Sequence, residues 1–125
     1  MGEKILLIED SEAITKNITF NLSRFGYKIL SEKTIIAGSI ILSKYEIMLI
    51  IADIDLLNTE NTSIKEQLNI KKDNRFPSII VLVDEERNIL ERNHWENITI
   101  VTKPFSAAKL LNTVQTILAK EKISQ

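Results

Sequence analysis

Glu9, Asp10, Asp53, Asp55 and Lys103 are the residues whose types and spacing could do chemistry together. Glu9-Asp10 follow the apolar run 5–8, Asp53 follows the run 47–52 with Asp55 two residues on, and Lys103-Pro104 follow the run 98–101. Carboxylates gathered in one crevice repel and raise one another's pKa. A hard divalent cation relieves that repulsion, and all-oxygen ligation completed by water suits Mg²⁺. A Lys opposite adds a point charge for an anionic group. A metal and a Lys around one carboxylate are the equipment for taking up a phosphoryl group, neutralising its equatorial oxygens while Asp53 attacks in line. Each acid by itself also has a plain reading as a helix cap or loop residue, so the chemistry depends on their convergence.

Convergence requires elements that bring these ends together. The runs 5–8, 47–52, 79–83 and 98–101 are short, rich in Ile or Val, and lack the alternation of a sheet with one wet face. They read as central parallel strands covered on both sides, with 27–30 a weaker strand. Helical patterns lie between them. Residues 11–25 place Ile14, Ile18, Leu22 and Phe25 on one face, with Gly26 as stop signal. Residues 35–44 carry Ile36, Ile40 and Ile41, residues 62–70 carry Ile64 and Leu68, and residues 85–93 carry Ile89 and Leu90. Residues 106–122 carry Leu110, Leu111, Val114, Ile117 and Leu118. This strict alternation predicts an α/β fold, a doubly wound (βα)5 domain with a five-stranded parallel sheet of order 2-1-3-4-5 and helices on both faces. The crevice at the carboxyl ends of strands 1 and 3 is where such sheets bind ligands, and it is where the acids fall.

Composition narrows the rest. The chain of 125 residues is 44% hydrophobic and 26% charged, one domain over 1–125 with a substantial core. A net charge of −1 gives no electrostatic reason to bind nucleic acid or an anionic membrane directly. The absence of Cys excludes disulfides, thiolate metal sites and a Cys nucleophile, and the single His94 excludes a multi-histidine site. No stretch reads as a signal peptide or membrane span, so a cytoplasmic location is expected.

In order and spacing, Lys4-Ile-Leu-Leu-Ile-Glu9-Asp10, Phe25-Gly26-Tyr27, Asp53-Ile-Asp-Leu56, Pro77-Ser-Ile-Ile-Val-Leu and Lys103-Pro104-Phe105 resemble the receiver domain of two-component response regulators over nearly the whole chain. The resemblance implies a signalling phosphoacceptor rather than an enzyme with turnover of its own beyond self-phosphorylation and autodephosphorylation. It implies that Asp53 accepts phosphate from a phosphohistidine of a histidine kinase or phosphotransfer protein. Glu9, Asp10, Asp53 and the backbone carbonyl of Asp55 would hold Mg²⁺. Lys103 would contact the phosphoryl oxygens, with a cis Lys103-Pro104 bond setting its direction. The face from 85–93 through 98–101 to 106–122 commonly mediates partner or homodimer contacts in that family. Asp53-x-Asp55 also resembles the nucleophile loop of haloacid-dehalogenase-type phosphatases, but that loop normally opens its fold and here stands on the third strand.

Four departures from the receiver pattern stand out. The hydroxyl residue at the end of strand 4 is replaced, since counting from Asp53 the place falls on Val83, or on Leu82 with a shift of one residue. Asp84, or Val83 with that shift, follows where a small residue is usual, and the acid would either repel a phosphoryl group or point outward and cap the next helix. Ile100 stands where an aromatic switch residue often sits. Asn58 and Asn61 replace the glycines of the loop after Asp53, and tolerate left-handed φ best among non-glycine residues. The acceptor set is thus complete while the readout is altered. The alternative is a phosphorylation-independent receiver acting as a protein–protein interaction module. His94-Trp95 reads as surface and packing, Lys71-Lys72 as a solvated turn, and Phe105 as an anchor for the last helix.

Overall fold

The computed structural model describes residues 2–57, 64–70, 77–84 and 98–124. Its strands are β1 (Lys4–Ile8), β2 (Lys28–Glu32), β3 (Leu49–Asp53), β4 (Ser78–Asp84) and β5 (Ile98–Lys103). They pair in parallel in one sheet of order β2-β1-β3-β4-β5. The helices are α1 (Glu12–Ser23), α2 (Ile35–Lys44), α3 (Ile64–Gln67) and α4 (Ala107–Ser124). The expected fold class is the observed one, and the central strands β1, β3 and β4 are apolar on both faces because helices cover both. The segment 85–93, His94, Trp95, Lys71, Lys72, Asn58 and Asn61 lie outside the described residues.

Alternation along each strand divides the core in two. Ile5, Leu7, Leu49, Ile51, Ile80, Leu82 and Val101 pack with Ile18 and Leu22 of α1 and Leu110, Val114 and Leu118 of α4. Leu6, Ile8, Ile50, Ala52, Ile79, Val81 and Val83 pack on the other face with Ile64 and Leu68, and with Ile35, Ile41 and Leu42 of α2.

Local signals fix the helix ends. The Ser11 hydroxyl accepts from the N–H of Ile14, and that of Thr34 from the N–H of Ala37, satisfying donors the first turn leaves open. After α1 the chain turns through Gly26 at φ 93°, and after α3 through Asn69 at φ 60°.

Two expected faces are corrected. Phe25 lies beyond the end of α1 and is 57% exposed. In α2, Ile36 and Ile40 are exposed, and the buried side is the one carrying Gly38. A Cβ on Gly38 would stand 2.6 Å from Ile8 Cδ1, so the missing side chain is what lets α2 lie against β1. Apolar residues all round α2 leave its orientation to that close approach.

Candidate functional site

The sheet delivers Glu9, Asp53 and Lys103 to one spot. Glu9 follows β1, Asp53 ends β3 and Lys103 ends β5. The Asp53 side chain turns its own strand: Oδ1 accepts from the N–H of Asp55 at 2.8 Å and caps a 3₁₀ turn over Ile54–Leu56. Its other oxygen, Oδ2, accepts a hydrogen bond from Lys103 Nζ in an ion pair. Lys103 Nζ also stands 3.7 Å from Glu9 Oε1. The bond from Lys103 to Pro104 is cis, and Phe105 beyond it packs against the core.

Glu9 and Asp53 are 2% and 4% exposed, so two carboxylates are buried under one ammonium. Glu9 Oε2 accepts from the N–H of Ser11, whereas Oε1 is buried and accepts no hydrogen bond. Burial pushes the Glu9 carboxyl up to about 7, the Asp53 charge adds to the rise, and the Ser11 N–H and the Lys103 charge oppose it. Burial would raise Asp53 as well, but the Lys103 hydrogen bond and the Asp55 N–H together hold it below the ordinary value. Burial works against the Lys103 charge, yet the bond to Asp53 and the nearby acids keep its pKa raised. The pair therefore divides into an Asp53 held below its ordinary pKa and a Glu9 raised to about 7, which is about half ionised at neutral pH.

Of the expected acids, Glu9 and Asp53 bury their side chains where Lys103 reaches. Asp10 and Asp55 are exposed, and among the described residues no group of three acidic or imidazole side chains stands close enough to hold a metal. Lys103 answers the carboxylate charge here. The donor chemistry still suits a hard cation, since the acids offer oxygen ligands and Glu9 Oε1 is a buried acceptor without a donor. Asp10 lines, with Glu9 and Glu12, a cavity of about 510 Å³ that leads from the site toward α2.

Strand register resolves the altered positions. Asp53 pairs with Leu82, and paired residues of parallel strands project to the same face. Leu82 belongs to the face of Ile51 and Val101, and Val83 to the opposite one. The count that reached Val83 is one residue too long, and Leu82 is the side chain beside the acid. Asp84 pairs with Lys103, is exposed, and lines with it, Ala13, Ile14, Asn17 and Phe105 a second cavity of about 500 Å³. Ile100 is half-buried against the core face of Val81 and Val83. Leu82 is the residue that counting along the sequence placed second, and the pairing of β3 with β4 is what sets it beside Asp53.

Comparison with known proteins follows the same lines. A receiver domain protein from Clostridium thermocellum is similar with a TM-score of 0.79 and 24% identity over 98% of this chain and 99% of that one. The chain has the fold of a response regulator receiver domain. A signal receiver domain of an HD domain-containing protein from Pseudomonas fluorescens Pf-5 shares the receiver fold with a TM-score of 0.79 and 20% identity, over 100% of both chains. The chemotaxis response regulator CheY4 of Vibrio cholerae shares it with a TM-score of 0.75 and 20% identity over 94% of this chain and 99% of that one. By sequence, the receiver-fold chain is 30% identical over 128 residues to the alkaline phosphatase synthesis transcriptional regulatory protein PhoP of Bacillus subtilis. That match spans 99% of this chain and about half, 52%, of the relative's length. No protein-family profile matches the sequence.

Proposed function

We propose that this receiver domain is the phosphoacceptor of a two-component relay, with Asp53 the acceptor. The observation that carries the reading is the ion pair between Lys103 of β5 and Asp53 of β3, formed over a sheet whose carboxyl ends also present Glu9. One Asp53 oxygen would attack the phosphorus of a phosphohistidine. The P–N bond breaks, the imidazole leaves with its electron pair, and an aspartyl phosphate forms. The Asp55 N–H orients the carboxylate by holding Oδ1. Lys103 must release Oδ2 to meet the phosphoryl oxygens, so the group that covers the acid at rest becomes the one that neutralises the product. Mg²⁺, held by Glu9, Asp10, Asp53 and the Asp55 carbonyl, would supply further charge neutralisation when bound. The partner would be a histidine kinase or phosphotransfer protein in the cytoplasm. Among the described residues no helix is long and apolar enough to cross a membrane.

The test is intact mass after acetyl phosphate or phosphoramidate with Mg²⁺. The expected result is the gain of one phosphoryl group, lost in Asp53→Asn. No adduct at saturating donor overturns the reading.

One observation favours a second reading, a module that binds its partner without phosphate. Leu82 offers no hydroxyl beside Asp53, and Asp84 adds a negative charge next to Lys103. That reading expects partner binding to be unchanged in Asp53→Ala, and a large loss of affinity in that variant removes it.

A further inference from the structure

Strand β2 is an edge, with β1 on one side and no strand on the other among the described residues. In a parallel pair, alternate residues turn both main-chain groups toward the same neighbour. The Lys28 N–H donates to the Glu3 carbonyl at 2.9 Å, and the Glu32 carbonyl accepts from the Glu9 N–H at 3.0 Å. Lys28, Leu30 and Glu32 therefore face β1, and Ile29 and Ser31 direct their N–H and C=O outward. Open edges are templates for another strand, and charged residues commonly guard them.

Here the guards are of opposite sign and lie symmetrically about Leu30. Lys28 and Glu32 project to the same face as Leu30, and among the described residues neither is in an ion pair. An antiparallel strand of the same sequence, related by a two-fold axis at Leu30, sets Lys28 against the second copy's Glu32 and Glu32 against its Lys28. The same register lets Ile29 and Ser31 exchange their outward hydrogen bonds with the second copy's Ser31 and Ile29, and brings the two half-buried Leu30 side chains together. Hydrogen bonding, charge and apolar contact all select one register.

We infer that β2 is a self-complementary edge through which two copies of this chain form one continuous sheet, with Lys28–Glu32 ion pairs on either side of Leu30. The contact is small, so the dimer is weak and concentration-dependent. It leaves β5 and α4 free, and the carboxyl ends of the two sheets point in opposite directions.

Sedimentation velocity over a concentration series of the full chain tests this, with circular dichroism to follow folding. Lys28→Glu and Glu32→Lys each place like charges at both pairs, and should each weaken dimerisation about tenfold. An equimolar mixture of the two variants pairs opposite charges again and should regain the dimer. Ser31→Pro removes an outward N–H without touching the bonds to β1, and should also give monomer. A chain that stays monomeric at millimolar concentration overturns the inference. So does a dimer indifferent to all three substitutions, or a monomer whose β2 edge takes only an added extended peptide.

Discussion

Leu82 stands beside Asp53 in the register of β3 and β4, on the same face of the sheet. The position next to the proposed acceptor is therefore apolar and buried, and has no hydroxyl to follow a phosphoryl group. Leu82→Thr restores one. Amide hydrogen exchange with and without phosphoramidate and Mg²⁺ should show a small protection change in the unaltered chain and a larger one, reaching the end of β4, in the variant. The variant also replaces buried methyl groups with a hydroxyl, so it should lose about 1–3 kcal/mol of stability. Equal exchange changes in both proteins would mean that the position has no part in readout.

The ammonium of Lys103 is the counter-charge for two buried carboxylates. Lys103→Met keeps most of the apolar stem and removes the charge. Breaking a buried pair from one side leaves the acids unanswered, and urea unfolding at neutral pH should register a loss of about 2–4 kcal/mol. The Asp53 carboxyl should titrate upward in the same variant, as followed by carbon NMR of the carboxylates. An unchanged urea midpoint would show that the pair contributes nothing to the fold.

Glu9 gives the metal-free protein a pH dependence of definite sign. Its folded pKa, pushed up from 4.5 to about 7, exceeds that of the unfolded chain. Its contribution is fully present below about 4.5 and is lost as pH rises through about 7, a fall of about 3 kcal/mol. Asp53 acts in the opposite sense: its lowered pKa contributes stability above 3.8 that is lost on acidification. Thermal unfolding without divalent ions should therefore become easier from pH 5 toward pH 8 in the parent chain and flatten in Glu9→Gln. Added Mg²⁺, which needs the ionised carboxylate, should offset the decline in the parent only. A parent profile as flat as that of the variant would contradict the buried, proton-holding Glu9.

Gly38 meets Ile8 where α2 crosses β1. Gly38→Ala gains helix propensity worth about 1 kcal/mol but puts a Cβ within 2.6 Å of Ile8 Cδ1 and 3.1 Å of Ile8 Cγ1. With Ile8 fully buried, the net effect should be a loss of about 1–2 kcal/mol in urea unfolding. Ile8→Val removes the closest atom, so the double variant should recover part of the loss relative to the sum of the single ones. Strict additivity would place the strain elsewhere.

The sheet was legible because β1, β3 and β4 are buried on both faces and so are written as unbroken apolar runs. The stop at Gly26 was legible for local reasons. The facing of α2 was not, since Ile36 and Ile40 look as core-like in sequence as Ile35 and Ile41, and only the proximity of Gly38 to Ile8 separates them. The choice between Leu82 and Val83 was not legible either. A slip of one residue moves a side chain to the other face, and that register is fixed by pairing with β3 rather than by a count along the chain. Lys103 was legible at the site from its place after the run 98–101, but that its ammonium bonds Asp53 directly depends on side-chain reach across β4, which spacing does not encode.

Fifty residues separate Asp53 from the lysine that caps it, and β4 must be laid between their strands before the two can touch. During synthesis the acids of β1 and β3 emerge first and wait for a cation carried by the final strand. A half-made chain thus holds Asp53 without its counter-charge, and the ion pair closes only once β5 is seated.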